Sequence, residues 1–525
     1  MSDSEDESIK HAIRLSLQEH AVDPEQNDID RAIALSLQQE HHDSNNSSTA
    51  QAAADRVSDH NDDMRTAIAL SLGKSVDQLT AREALGLTAA TKDVVEQYNK
   101  RKRQEDTSDS SSSSNKRTMD QRYYWDGVVK LTHVTGFTGP NFIRFEDIVE
   151  KDKLKKAVIT AMVVSMDWIE EQFPSHINLC VVLHGRPAMA RQLSTTRTFI
   201  VPPLKDENWG VFHSKLMILV HEKSMRIVIG SANLERYDYN DLENVVFIQD
   251  FPLASKAATS ITHLPRFARD IAALLDQMHV PSSVQDELLK YDFSRAKAHV
   301  VASVSGNFEG RDQYRQYGHA RLAQIIREIG AADPNRPPRI EMQTSSLGGL
   351  NPSYLHELYR SFSGIDPYET SNKPVRMKNN DPLPPIDIIY PSMDTVLDSR
   401  LGPPGAGTIC LNTSSWQKPT FPKQVMCDAI SHRRRTLMHS KYIIATLPKS
   451  SEHRLKGWVY CGSHNATMGA WGKLSISRDS KQPKMSINNW ELGVILPLYE
   501  DSDIPVTYVR PPPRYRAGQD AWTQE

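Results

Sequence analysis

The chain has 525 residues and a net charge of −3, and that charge is unevenly divided: residues 1–99 carry 8 Lys and Arg against 19 Asp and Glu, while residues 100–525 carry 54 against 46. The first stretch, net −11, has no Phe, Trp or Tyr before Tyr98 and lacks the material for a core. The remainder, net +8, is too long for a single core and is expected to divide in two. The four cysteines (Cys180, Cys410, Cys427, Cys461) lie far apart with no CxxC pair, which excludes a disulfide framework and a sulfur-rich zinc site. An acidic start and the lack of any apolar run near ~20 residues argue against a secretory signal and a membrane span, so a soluble intracellular protein with no membrane partner is expected.

Within the acidic tail one phrase recurs: HAIRLSLQ at 11–18, RAIALSLQ at 31–38 and TAIALSLG at 66–73, each preceded by acidic residues. Each copy sets an Ala and a Ser four apart (Ala12 and Ser16, Ala32 and Ser36, Ala67 and Ser71), one helical turn, with Ile and Leu on the same stripe. A helix this short gains order only against a partner, because nucleation is costly. Acids followed by this Ala-x-x-x-Ser pattern resemble the ubiquitin-interacting motif, which implies a helix docking its Ala on ubiquitin. The third copy departs from that pattern, with Gly73-Lys74 where the family places an acid. The bland alternative is an amphipathic helix packing on the body of the protein.

A Ser-rich linker follows at 100–122, with basic clusters at Lys100–Arg103 and Lys116–Arg117. That layout fits a bipartite nuclear import signal, and equally a solvated basic linker that touches nucleic acid. From Tyr123 onward helical periodicity alternates with short β-branched runs, so the fold class expected is α/β, in two similar halves at 123–305 and 306–525. Residues 152–173 read as an amphipathic helix, 177–185 as a strand, 265–279 and 317–330 as helices, and 339–345 and 386–392 as strands.

One arrangement occurs twice in this body. WGVFHSKLMILV is followed by IVIGSANLE, and LMHSKYIIATL by VYCGSHNATMGAWG. In each, a His and a Lys two apart in a β-like run (His213 and Lys215, His439 and Lys441) share one face, and a second run ends in Gly-Ser-x-Asn at Asn233 and Asn465. A single HxK means little, but the doubled set supplies what double displacement at a phosphodiester requires. One neutral imidazole attacks phosphorus and a second, protonated, delivers a proton to the leaving oxygen. Ammonium groups and amides hold the equatorial oxygens in the transition state. Fixed cations take the place of a metal, so no cofactor is expected.

The doubled HxK and GSxN resemble the phospholipase D superfamily, which implies a pseudo-twofold molecule of mixed sheets flanked by helices. That superfamily's motif continues HxKxxxxD, yet the acidic position here is Val220 in one copy and Thr446 in the other. Loss of both acids, with KLTHVTGF at 130–137, QTSSLGGL at 343–350, GAWG at 469–472 and ELGVILP at 491–497, resembles the tyrosyl-DNA phosphodiesterase family. The resemblance implies His213 as nucleophile with Lys215 and Asn233, and His439 as general acid with Lys441 and Asn465. It also implies a polar side chain on the strand after each GSxN, at Glu491 and Asn244, where the family usually carries Gln at the second. Glu491 opens an apolar run and is expected to partner an imidazole; beside His439 it would raise that residue's pKa.

The same resemblance implies DNA-binding roles for Trp209, a base-stacking aromatic four residues before His213, for Ser345 and Ser346, and for Trp416 and Lys418. The basic body suits a polyanion, and no base-reading motif is evident, so a DNA 3′ end is expected rather than a sequence. The implied partners are DNA 3′ ends carrying a tyrosyl or other adduct, a topoisomerase remnant peptide, and ubiquitin or ubiquitylated proteins, acted on by a nuclear monomer. Two other readings stay open, a different phospholipase D-like nuclease or lipase and a non-catalytic ubiquitin adaptor.

Overall fold

The computed structural model describes residues 123–524 apart from 367, 369–381 and 452–453; the three Ala/Ser phrases and both basic clusters lie outside the described residues. Nine strands, β1 (Val128–Thr132), β2 (Phe142–Ile143), β3 (Leu154–Ala161), β4 (Asn178–Leu183), β5 (Met189–Gln192), β6 (Arg197–Val201), β7 (Leu216–His221), β8 (Ser224–Gly230) and β9 (Val245–Pro252), form one sheet in the order β2-β1-β9-β8-β7-β3-β4-β6-β5. Twelve more follow: β10 (His299–Ser303), β11 (Gly306–Glu309), β12 (Arg339–Gln343), β13 (Ser346–Leu347), β14 (Ile386–Tyr390), β15 (Cys410–Leu411), β16 (Met426–Asp428), β17 (Tyr442–Thr446), β18 (Gly457–Gly462), β19 (Lys473–Ile476), β20 (Pro483–Ile487) and β21 (Glu491–Leu498). Seven of these build a second large sheet, β10-β21-β18-β17-β12-β14-β16.

The two sheets repeat one topology. Laid against the second, the first runs β1-β9-β8-β7-β3-β4-β6. Every equivalent pair has the same sense, antiparallel from β1 to β3 and from β10 to β12, then parallel through β4 and β6 or β14 and β16. The duplication legible in the motifs is therefore carried by the whole fold, with β2 and β5 added at the edges of the first half.

Period-2 alternation assembles the halves into layers. Leu216, Ile218 and Val220 of β7 face a core shared with Tyr442 and Ile444 of β17, Val459 and Cys461 of β18, and Leu492 and Val494 of β21. Their neighbours face outward under helices: Met217 and Leu219 join Trp168 and Ile169 of the helix Met166–Gln172, and Ile443 and Ala445 join Leu322 of Gly318–Glu328 and Leu358 of Pro352–Phe362. Strands buried on both faces read as unbroken apolar runs, which is why they show in the sequence.

Two expectations are corrected here. Residues 152–173 are not one helix, because Leu154–Ala161 is the interior strand β3, antiparallel to β7 and parallel to β4, and only Met166–Gln172 is α-helical. The β-branched Val158, Ile159 and Thr160 are buried between two strands, and tertiary pairing outweighs the local helical spacing. The boundary between halves precedes 305/306, since His299–Ser303 is an edge strand of the second sheet, paired with β21. Helices over 266–277 and 318–328 and strands over 339–343 and 386–390 lie where the periodicity places them. Among the described residues no helix is long and apolar enough to cross a membrane.

Candidate active site

The antiparallel order brings three strand ends together at one end of each sheet. His213 and Lys215 immediately precede β7, Asn233 follows β8, and Asn244 immediately precedes β9; His439 and Lys441 precede β17, Asn465 follows β18, and Glu491 opens β21. The two ends are joined by a pair of matching parallel bridges, Phe212 with Trp490 and Met438 with Glu243. His213 N donates to Trp490 O and His439 N to Glu243 O, each at 2.9 Å. The backbone of each of these histidines is therefore hydrogen-bonded to the other half.

The side chains cross in the same way. His213 Nδ1 lies 2.7 Å from Glu491 Oε2, and the same oxygen accepts from Ser463 Oγ. His439 Nδ1 lies 3.2 Å from Asn244 Oδ1, which accepts from Ser231 Oγ at 2.7 Å. In both halves the Ser of GSxN holds the polar residue of the following strand, and that residue holds the histidine of the opposite half. Both ring contacts are to acceptors, which fixes the proton on Nδ1 and turns an Nε2 lone pair away from them. The glycine beside each Ser is needed for this closeness. A Cβ on Gly462 would lie 2.4 Å from Gly493 Cα, and one on Gly230 2.7 Å from Val245 O.

The amides are held by their oxygens. Asn465 Oδ1 accepts from Thr344 Oγ1 at 3.0 Å, Ser346 N at 3.1 Å and Ser345 N at 3.2 Å; Asn233 Oδ1 accepts from Val163 N at 3.4 Å. Val163 and Ser345 each stand two residues past the equivalent strands β3 and β12, so this support also repeats. With the oxygen engaged, the NH2 of each amide is the group left to face a ligand. Lys215 Nζ donates to His213 O at 2.9 Å, and Lys441 Nζ to His439 O.

Burial sets the charges. It pushes His213 well below the usual histidine value, aided by Lys215, Lys441 and His439, and it takes His439 down to about 4, aided by Lys441. The contact between His213 and Glu491 is thus a hydrogen bond from a neutral ring to a carboxylate rather than an ion pair. Burial lowers Lys215 to about 8 against the pull of Glu491 and Asp238, and burial together with the neighbouring Lys215 holds Lys441 well below the usual lysine value. Burial raises Glu491, with His464, Ser463 and Lys215 opposing. Two imidazoles, two lysines and two amides, all under 9% exposed, meet at one seam, and the named charges act on each other across it. Such a set can hold a phosphate between a nucleophile and a proton donor.

Residues 128–517 match the family model described as tyrosyl-DNA phosphodiesterase. The chain belongs to the tyrosyl-DNA phosphodiesterase family. It is 26% identical over 380 residues to tyrosyl-DNA phosphodiesterase 1 of Arabidopsis thaliana (67% of this chain, 58% of that one) and 27% identical over 296 residues to that of Drosophila melanogaster (54% and 49%). The chain thus spans between about half and three-fifths of the length of these relatives. The crystal structure of the yeast tyrosyl-DNA phosphodiesterase has the same fold, with a TM-score of 0.59 at 18% identity over 76% of this chain and 100% of that one. Residues 4–20 and 25–40 match a model of the ubiquitin interaction motif, and 59–75 match a second model of that description.

In this tyrosyl-DNA phosphodiesterase family member the eight expected site residues come together, with one pairing corrected. Glu491 contacts His213, not His439. The carboxylate at His439 is instead Asp238, whose Oδ2 is 3.3 Å from Nδ1. Asp238 lies in the short helix Arg236–Asn240, is fully buried, and also accepts from the backbone of Asn233. Sequence reasoning missed it; its signal is an acid five residues after the first GSxN Asn, where the second copy has Ala470.

The expected DNA contacts divide. Trp209 is 41% exposed, free to stack. Lys418 is exposed, its Nζ 3.9 Å from where a Cβ of Gly349 would lie. Ser345 is fully buried, and its hydroxyl turns to Asn465 Oδ1, so it positions the amide rather than presenting an open hydroxyl; the half-buried Ser346 shares that duty through its N–H. Trp416 is a correction, since it is buried in the second core, donates from Nε1 to Asp520 at 2.9 Å, and is capped by Lys423 at 4.1 Å, which leaves no face for a base. Also missed was His464, buried between Tyr460 and Ser303 at 3.0 Å and stacked on Trp471, where it pins the second GSxN turn.

Proposed function

We propose that this protein is a DNA-repair phosphodiesterase that hydrolyses the bond between a DNA 3′ phosphate and a tyrosine through a covalent phosphohistidine. The observation that carries the reading is the crossed pair of imidazoles, each with Nδ1 bound to an acceptor from the other half and flanked by its own Lys and Asn. His213 Nε2 attacks phosphorus, the P–O bond to tyrosine breaks, and the phenolic oxygen takes the proton from His439 Nε2. Water then gives a proton back to His439 as its oxygen attacks phosphorus; the P–N bond breaks, its electrons return to His213, and a DNA 3′ phosphate leaves. Lys215, Lys441 and the amides of Asn233 and Asn465 hold the equatorial oxygens throughout.

His439 must gain a proton for the first step although burial leaves it neutral in the free protein. A phosphodiester anion placed among these groups supplies the missing negative charge and raises its pKa, so the acid is charged as substrate binds. The bound anion likewise favours the charged forms of Lys215 and Lys441, which then serve as the cations, and in this reading no metal takes part. The tail would bind ubiquitin through Ala12, Ala32 and Ala67 with Ser16, Ser36 and Ser71, and direct the enzyme to ubiquitylated, DNA-trapped topoisomerase in the nucleus. Trp209 and Lys418 would hold the DNA strand. The test is an oligonucleotide bearing a 3′-phosphotyrosine, incubated with the protein in excess EDTA. Conversion to a 3′ phosphate supports the reading; no turnover, or turnover only after metal is restored, refutes it.

A further inference from the structure

The two halves of the site correspond closely but place their acids differently. Five positions after the GSxN Asn, the first half carries Asp238 and the second Ala470. His213 draws its carboxylate from a strand end, Glu491, whose first-half equivalent is the neutral Asn244. Without Asp238, His439 would have only the amide oxygen of Asn244 at 3.2 Å. Asp238 supplies the missing charge: Oδ2 stands 3.3 Å from His439 Nδ1, and Asn244 Nδ2 donates to the Asp238 backbone oxygen at 2.9 Å, locking carboxylate and amide into one unit behind the ring.

The charge of Asp238 is tied to that of His439. Burial opposes its charge, but His439, the Asn233 N–H and Lys441 outweigh it and hold the carboxyl below the usual range. When His439 is neutral its contribution is lost, and the Asn233 N–H and Lys441 alone oppose burial. Its Oδ1 is buried with no hydrogen-bond partner. Around His439 the other charges are Lys441 beside it, Lys215 and His213 from the start of β7, and Glu243 behind its backbone, already paired with Arg433 at 2.6 Å. Asp238 is thus the carboxylate that touches the ring.

We propose that Asp238 is the positioning residue that assigns the proton-donor role to His439, by stabilising its imidazolium and aiming Nε2 at the leaving oxygen. This deepens the phosphodiesterase reading and rests on it. Its consequence is selective. A tyrosyl oxygen is a poor leaving group that needs the proton, whereas a 4-nitrophenolate leaves unassisted, so loss of Asp238 should penalise only the first.

The experiment uses the full chain and its Asp238→Asn and Asp238→Ala variants, in excess over an oligonucleotide carrying either a 3′-phosphotyrosine or a 3′-(4-nitrophenyl) phosphate. Release of the leaving group is followed in a single turnover against pH. The second variant is sterically safe, since the matching helix already carries Ala470. The expected result is a loss on the order of 10²-fold with the tyrosyl substrate at neutral pH, a far smaller loss with the nitrophenyl one, and an alkaline limb of the tyrosyl profile moved down by roughly one pH unit or more. Equal losses on both substrates with the limb unmoved overturn the proposal. A parent enzyme inactive on both substrates overturns the phosphodiesterase reading itself, whereas an active parent with unchanged substrate selectivity in the variants overturns the role of Asp238 alone.

Discussion

Replacing Glu491 by Gln tests the crossed arrangement most sharply, because it keeps the shape and removes one charge. In the parent, Glu491 Oε2 accepts from His213 Nδ1 at 2.7 Å and from Ser463, while Oε1 accepts from Asn489 Nδ2 at 3.3 Å. Gln can still offer one carbonyl oxygen to His213, so the tautomer survives. What is lost is stabilisation of the positive ring that forms as His213 bonds to phosphorus. A hydrogen bond to a charged acceptor is worth about 1.5–3 kcal/mol against about 0.5–1.5 for a neutral one, an excess of roughly 1 kcal/mol, and a unit-charge pair at ~4 Å with an effective dielectric of ~20 sets an upper figure near ~4 kcal/mol. At ~1.36 kcal/mol per tenfold, the first step should slow between about fivefold and about a thousandfold. Rapid-quench single turnovers on a 3′-phosphotyrosyl oligonucleotide measure it. Because Glu491 serves the nucleophile, the variant should show slow tyrosine release with no build-up of protein–DNA adduct. Accumulated adduct would place Glu491 at the hydrolytic step, beside His439, and refute the crossed pairing.

Three further outcomes are expected. Gly462→Ala puts a Cβ 2.4 Å from Gly493 Cα, and overpacking of this kind typically costs about 1–3 kcal/mol; the melting temperature should fall by several degrees with activity lost, and an unchanged melting curve would contradict the close strand approach. His464 and His439 are buried neutral, with pKa values lowered to about 3 and about 4 chiefly by burial. The unfolded chain therefore takes up protons first as pH falls below ~6.5, and each ring should cost about 3 kcal/mol of stability between pH 6.5 and 4. Urea unfolding across that range should show this loss, and a His464→Gln variant a flatter slope; identical slopes would mean His464 is charged in the fold. Trp209→Ala should raise KM for a single-stranded substrate about fivefold to a hundredfold, as expected for one lost stacking contact of about 1–3 kcal/mol, with kcat little changed. An unchanged KM would remove Trp209 from the DNA path.

How far the sequence reveals this site depends on the range of each interaction. HxK and GSxN are local, each lying at strand ends that a doubly buried apolar run makes visible, so the six residues they contain could be named from spacing alone. The pairing between halves is not local. Glu491 and His213 are 278 residues apart, and Asn244 and His439 are 195 apart. Nothing in either segment states that each carboxamide or carboxylate crosses to the opposite histidine, and the assumption that Glu491 serves the histidine of its own half was natural and incorrect. β3 was hidden because Leu154, Ala157, Val158 and Ala161 carry helical spacing, while only pairing with β7 and β4 makes them a strand. β10 was assigned to the wrong half because its partner, β21, comes nearly two hundred residues later in the chain. Trp416 looked available until packing against Phe421 and Tyr515 showed it to be core. Asp238 escaped because a single Asp in NLERYDYN has no pattern of its own, and it stands out only once the two halves are superposed and Ala470 is seen opposite.

The central claim is that His213 takes the phosphorus and His439 manages the proton. It is tested by reacting His439→Asn protein with a 3′-phosphotyrosyl oligonucleotide, trapping at seconds to minutes, and locating the DNA-modified peptide by mass spectrometry under conditions that preserve phosphohistidine. The account predicts a slowly resolving adduct whose 3′ phosphate sits on His213, and no adduct in His213→Ala. An adduct on any other residue, or full turnover without His213, would contradict it.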